Sequence, residues 1–256
     1  MTEPKKIEKE SLAIVIPVYN ETEIIETVIQ DWVDTLRPLA VDFSIHLYND
    51  GSKDNTLSVC REIEKKVPEL TVHDKKNSGH GPTILKGYCD NLSHTWLFQI
   101  DSDNELPAEH FKLLWEQRND ADFLIGIREN RKNPLARRLI SLISRLCVRL
   151  FYGTGVYDVN SPYRLMRVST LLETYNAIPN DTFAPNVIIS GMVNYLGLRI
   201  VQIDVPHRQR ETGEGSIKKF RLLKCAIQSF FQTISFSFDK PGKKGKATPS
   251  DRGCCT

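Results

Sequence analysis

Short apolar runs alternate with stretches of helical period along the first half of the chain. LAIVIPVY (12–19) is a β-branched apolar run and is read as a buried strand. Asn20, Glu21 and Thr22 follow as the cap of a helical pattern with Ile24, Ile25, Val28, Ile29 and Trp32 on one side. Phe43–Tyr48 predicts a second strand, ended by the turn cluster Asn49-Asp50-Gly51-Ser52. Thr56–Lys66 predicts a helix, Leu70–His73 a short strand, Asn77–Gly81 a loop, and Thr83–Asn91 a further helix. Trp96–Ile100 predicts a fourth strand, Ala108–Gln117 a helix, and Phe123–Ile127 a fifth strand. Beyond residue 130 the pattern changes to long amphipathic helices, Leu135–Tyr152 and Ile217–Phe238, separated by a helix over Val187–Tyr195 and a strand over Leu198–Val205.

Strand followed by helix, repeated with short links, predicts an α/β fold with a mostly parallel sheet and helices on both faces. In such sheets ligands bind beyond the carboxyl ends of the strands. The polar clusters Tyr19-Asn20-Glu21, Asn49-Asp50, Asn77–Gly81, Asp101-Ser102-Asp103 and Arg128 all fall there.

Length and composition change this picture little. A chain of 256 residues accommodates one large α/β domain, alone or with a small appendage, and 40% hydrophobic with 26% charged residues is ordinary for a soluble domain. Charge distribution says more than the net value of +2. Residues 131–150 hold six Arg or Lys and no acid, residues 204–224 six basic against three acidic, and residues 239–256 five against two. The second half is therefore expected to meet a polyanion or an anionic surface, although any single run reads equally as a solvated face. No run reaches the length of a membrane span, and MTEPKKIEKE lacks a signal-peptide core. The six cysteines form no C-x-x-C pair, so neither a zinc site nor a disulfide framework is indicated.

The stretch FQIDSDNEL (98–106) raises the sharpest question, because a buried strand ends in Asp101, Asp103 and Glu105. On extended backbone these alternate residues share a side, and like charges there repel unless a cation intervenes. Mg²⁺ and Mn²⁺ take such oxygen ligands together with substrate phosphates, while a solvated turn is the plainer alternative.

The stretches IPVYNE, NDGSKDNT, NSGHGPTILKG and DSD, in this order, resemble the GT-A fold glycosyltransferases of family 2. DVNSPYRL (158–165) and RQRETGEGSIKK (208–219) resemble the branch of dolichyl-phosphate mannose synthases and polyprenyl-phosphate sugar transferases. The resemblance covers roughly residues 12–235 and implies a single domain over 12–238. Residues 12–130 would form its nucleotide-sugar half and 131–238 its acceptor and membrane-interface half, between a polar extension (1–11) and a disordered basic tail (239–256).

The resemblance also implies site residues. Pro17, Tyr19, Glu21 and Asp50 would line the nucleotide pocket, with Asn49 standing where the family usually has a second acid. Gly79 and Gly81 would let the backbone approach the donor, and Arg128 would face its phosphates. Asp101 and Asp103 match the family's metal motif, and Glu105 stands where that branch often has a Gln. Arg210, Ser216 and Lys218 resemble a loop that closes on the diphosphate, although an extra residue leaves Lys218 and Lys219 interchangeable in that role. Asp158 is the candidate base or acceptor-orienting group, and Arg164 a candidate for holding an acceptor phosphate.

The expected reaction is metal-dependent inverting transfer, with Mn²⁺ or Mg²⁺, from a UDP- or GDP-linked sugar to a polyprenyl phosphate. The amphipathic helices would place the enzyme on the cytosolic membrane face. A hydroxyl acceptor such as a polysaccharide, or a non-catalytic nucleotide-binding module, are the alternatives. Nucleic acid is not an expected partner, because an acidic cleft repels a phosphate backbone.

Overall fold

The computed structural model describes residues 10–129, 135–208 and 219–242, with backbone alone at 135–139 and 219–225. Its centre is a seven-stranded sheet made of β1 (Ser11–Val18), β2 (Asp42–Asp50), β3 (Leu70–Lys75), β4 (Trp96–Gln99), β5 (Phe123–Glu129), β6 (Arg164–Arg167) and β7 (Ile200–Pro206). The spatial order is β3-β2-β1-β4-β6-β5-β7. β6 pairs antiparallel with both β4 and β5, and every other pairing is parallel. Six strands therefore end on one edge, and β6 begins there.

The helices are α1 (Ile25–Leu36), α2 (Thr56–Glu64), α3 (His80–Asp90), α4 (Phe111–Glu116), α5 (Leu135–Tyr152), α6 (Val168–Ala177), α7 (Pro185–Leu196) and α8 (Lys219–Asp239). β1 shows how the two layers arise. Leu12, Ile14, Ile16 and Val18 pack with α1, α2 and α4 on one face, while Ala13 and Val15 pack with α3, α6 and α7 on the other. Both faces of this strand are closed to water, which explains its continuous apolar sequence.

Pro17 lies inside β1, a position proline usually avoids because it cannot donate to the ladder. The Val15 carbonyl accepts from Ile100 N at 3.2 Å, so this side of β1 faces β4. The pairing with β4 ends at Val15↔Gln99. Pro17, two residues on, therefore faces past the end of β4, where no ladder donor is needed.

Two expected details are corrected. Asn20, Glu21 and Thr22 do not cap α1 with a side chain; the Glu21 carbonyl accepts from Ile24 N and Ile25 N at 3.2 and 3.1 Å, and α1 has no side-chain cap. The stretch DVNSPYRL, to which no element was assigned, runs into β6, whose sequence Arg-Leu-Met-Arg offers only two apolar residues for a period to show.

Candidate active site

The polar clusters do converge at the shared strand edge, and three separate arrangements hold them. The first surrounds Asp50 at the end of β2. Its carboxylate accepts from Lys75 Nζ, from Ser78 N at 2.8 Å and from Gly79 N at 2.9 Å. Lys75 also donates to Ser78 Oγ at 2.6 Å and to Thr83 Oγ1 at 3.0 Å. Burial alone would raise the Asp50 carboxyl, but the Lys75 ammonium and the two amides outweigh it and hold it below the usual carboxylate range. With these partners the buried Asp50 carboxylate organises the loop from Lys75 to Thr83.

Within that loop the two glycines serve different purposes. Gly79 has φ +96°, with nothing within 4 Å of where a Cβ would stand, so its backbone conformation is what requires glycine. A Cβ on Gly81 would lie 2.1 Å from the Phe183 carbonyl oxygen. Its missing side chain makes room for the chain entering α7. Asn49 donates to Asp74 Oδ1 at 2.7 Å, so the position where a second acid was expected is tied to β3. Tyr19 and Glu21 stand on the partly exposed loop after β1, where Glu21 N donates to Thr56 Oγ1 at 2.9 Å.

The second arrangement is the turn after β4. Asp101 Oδ1 accepts from Gln99 Nε2 at 2.9 Å and lies 3.5 Å from His80 Nε2 on the first residue of α3. Asp103 Oδ1 accepts from Glu105 N at 3.2 Å, and Asn104 between them has φ +55°. The chain is already in a turn at Ser102 and Asp103 and the left-handed Asn104 turns it further, so the extended alternation that would align three carboxylates is not kept beyond Asp101. Glu105 is carried away to His207, whose Nε2 stands 2.9 Å from Glu105 Oε2. Among the described residues no three His, Cys, Asp or Glu side chains gather as a metal site. Of the expected set of Asp101, Asp103 and Glu105, the last is engaged by His207 in this arrangement. Asp101 and Asp103 remain as two hard oxygen donors on one turn, a set that fits Mg²⁺ or Mn²⁺ sharing its shell with substrate phosphates.

The third arrangement links β5 to the loop before β6. Arg128 Nε and Nη2 donate to Asp158 Oδ2 and Oδ1 at 2.8 and 2.9 Å, a bidentate pair largely closed to water. Both carboxylate oxygens are engaged, which suits Asp158 to orienting a cation rather than to taking a proton. Arg164, assigned to an acceptor phosphate, is corrected: it is fully buried and donates to the carbonyls of Val159, Ser161 and Asn186 at 2.6–3.2 Å. Arg164 thus holds the turn that carries Asp158. Arg210, Ser216 and Lys218 lie outside the described residues. The chain enters that segment from the site, because Arg208 N donates to the Glu105 carbonyl at 2.8 Å and Arg208 Nη2 to Glu109 Oε1 at 2.6 Å.

Lys75, His80, Gln99 and His207 were not singled out from sequence. His80 sits inside the stretch NSGHGPTILKG and so carried a signal, while His207 falls one residue before RQRETGEGSIKK. Lys75 and Gln99 carried none, since their partners come from other elements.

Polar groups gathered beyond the carboxyl ends of a mostly parallel α/β sheet mark the edge where such domains bind their ligands. The family model of Glycosyl transferase family 2 matches residues 13–169, and the chain belongs to that family. Among known proteins it is similar to undecaprenyl-phosphate 4-deoxy-4-formamido-L-arabinose transferase of Pectobacterium atrosepticum, 26% identical over 221 residues, covering 83% of this chain and 64% of that protein. The protein of the same name from Pseudomonas fluorescens is 26% identical over 215 residues, 83% of this chain and 61% of its own length. This chain thus spans somewhat under two thirds of those relatives. Among solved structures it matches glucosyl-3-phosphoglycerate synthase from Mycobacterium tuberculosis in complex with uridine diphosphate, with TM-score 0.64 at 17% identity, over 90% of this chain and 80% of that one. Mannosyl-3-phosphoglycerate synthase from Rubrobacter xylanophilus matches with TM-score 0.64 at 12% identity, over 94% and 78%. These two share the fold, an α/β architecture of the GT-A kind.

Proposed function

We propose that the chain transfers a sugar from a UDP- or GDP-linked donor to a polyprenyl phosphate at a membrane surface. The observation that carries the acceptor is an exposed apolar face on α5 and α8. Leu150 is 71% exposed, Phe231 66% and Phe238 77%, with Leu142 and Leu146 on the same side of α5 as Leu150. The helices meet where the Tyr152 hydroxyl donates to the Thr233 carbonyl at 2.6 Å and the rings of Phe151 and Phe238 stand 6.4 Å apart. Exposed Arg149 beside Leu150 suits an anionic lipid surface. Among the described residues no helix is long and apolar enough to cross a membrane, so the contact proposed is with a surface. In the chain α5 lies between Arg128 and Asp158, which brings the apolar face close to the ion pair in sequence. The relatives named for undecaprenyl phosphate support the same acceptor.

In this reading an oxygen of the acceptor phosphate attacks the anomeric carbon, the bond from that carbon to the nucleoside diphosphate breaks, and the configuration inverts. The acceptor is already an anion near neutral pH, so no general base is required. Arg128, oriented by Asp158, receives the acceptor phosphate in a planar fork. Tyr19, Glu21 and Gly79 border the donor, and Arg210, Ser216 and Lys218 close on its diphosphate. Asp101 and Asp103 would hold Mn²⁺ or Mg²⁺, which when bound neutralises charge on the departing diphosphate.

The test is a transfer assay with Mn²⁺, a short polyprenyl phosphate and labelled UDP- or GDP-sugars. Label extracted into organic solvent with one donor, and lost with EDTA or Asp103→Ala, supports the reading. Label that reaches only free sugars or polysaccharide overturns the lipid acceptor in favour of a hydroxyl one.

A further inference from the structure

Gln99 ends β4 and is fully closed to water. A primary amide in such a place is costly unless its donors and acceptors are matched, and here they are matched in one sense only. Asp101, when ionised, can only accept, so the amide nitrogen of Gln99 must face it, at 2.9 Å. Gln99 Oε1 then faces inward and accepts from Asn186 Nδ2 at 2.9 Å. That fixes the Asn186 amide in turn, leaving its Oδ1 to accept from the Tyr88 hydroxyl at 2.9 Å. Tyr88 is itself fully buried. The orientation of each group follows from the one before it, starting from the charge on Asp101.

The same residue reaches the other half of the site. The main-chain carbonyl of Asn186, in the first turn of α7, accepts from Arg164 Nη1 at 3.0 Å. Arg164 holds Val159 and Ser161, and Ser161 N donates to the Asp158 carbonyl at 3.0 Å. One buried polar chain therefore runs from the Asp101 carboxylate to the turn of Asp158.

We propose that Gln99, Asn186 and Tyr88 form a positioning relay that sets the Asp101 carboxylate in the orientation that receives the divalent cation and the donor diphosphate. The proposal rests on the metal-dependent reading given above. None of the three touches substrate; they act through Asp101. Outer partners of this sort typically change metal affinity by about 10- to 100-fold when removed. A merely structural cluster would instead lower stability and leave cation affinity alone.

The experiment is Mn²⁺ binding to the full chain, read from the EPR signal of free Mn²⁺ in the presence of UDP and, separately, GDP. Gln99→Met, close in volume and without the amide, is expected to weaken Mn²⁺ binding about tenfold. Tyr88→Phe, which removes one neutral hydrogen bond, is expected to weaken it about threefold. In the transfer assay the Mn²⁺ concentration for half-maximal rate should rise by more than kcat at saturating Mn²⁺ falls. Mn²⁺ binding that is lost in Asp103→Ala but unchanged in Gln99→Met and Tyr88→Phe overturns the relay alone. Should Gln99→Met fail to fold, Tyr88→Phe decides by the same criterion. A wild-type chain that binds no Mn²⁺ with either nucleotide overturns the metal reading and the relay with it.

Discussion

Arg128 and Asp158 grip one another through two parallel hydrogen bonds of 2.8 and 2.9 Å, thirty residues apart in the chain and on opposite sides of α5. An acceptor phosphate arriving at Arg128 would meet the remaining Nη1 and Nη2 hydrogens while Asp158 keeps the guanidinium oriented. Arg128→Lys keeps the charge and loses the fork, so the acceptor KM should rise about tenfold while the donor KM moves little. Steady-state kinetics with each substrate varied in turn checks this. An equal rise in both KM values would mean that Arg128 serves the donor.

Lys75 is the only side-chain cation bonded to Asp50 among the described contacts, and Lys75→Met would leave that buried carboxylate with two amide donors. The expected cost is about 2 kcal/mol at neutral pH, from an under-satisfied buried charge. The folded Asp50 carboxyl lies below its unfolded value, so its contribution is full above the unfolded pKa and is lost as pH falls through the folded one. Thermal melts in the acid range, below about pH 4, should therefore converge for wild type and Lys75→Met. A gap that persists would place the effect elsewhere.

His46 on β2, His73 on β3 and His94 in the turn before β4 give a second pH dependence. His46 Nδ1 lies 3.2 Å from His73 Nε2, and Ser44 Oγ lies 2.9 Å from His46 Nε2 and 3.2 Å from His94 Nε2. Burial, then His73 and His94, push His46 down to about 4, with Asp90 opposing. The unfolded chain binds that proton first, so stability is full above the unfolded pKa of about 6.5 and falls progressively as pH drops toward the folded one. The loss is on the order of 3 kcal/mol. Denaturant titrations of wild type and His46→Gln between those two values should show a shallower slope in the variant.

Leu150→Glu and Phe238→Glu change side chains that are mostly in water, so the melting temperature should move little. Each removes an apolar group that a lipid surface would cover, and partitioning to anionic vesicles should fall at least about tenfold. Sedimentation with vesicles rich in phosphatidylglycerol measures this. Unchanged binding in both variants would reassign the face.

The β–α alternation, six of the seven strands and the two long helices were legible because each is a local pattern. What escaped has a physical reason in each case. β6 is short and contains a buried arginine, so neither apolar content nor polarity marks it as an inner strand. The alignment of three carboxylates assumed extended backbone through Glu105, but the chain turns from Ser102 through the left-handed Asn104. The pairing of Asp50 with Lys75 is set by sheet register and has no local sign in the sequence. Gln99 carried no sign either, since beyond its neighbour Asp101 its partners stand 11 and 87 residues away.

The reversal of β6 has a consequence for how such a domain can diversify. Because this strand starts at the edge where its neighbours finish, the segment between α5 and β6 is delivered straight to the acceptor side. It is anchored on a strand bonded to both β4 and β5. In the proposed reading, insertions or exchanges within residues 153–161 would retune the acceptor while the strands that carry the donor site keep their alignment. The anchor itself has no such latitude, since a slip of one residue in β6 would turn Arg164 out of its nest of carbonyls and release the loop it holds.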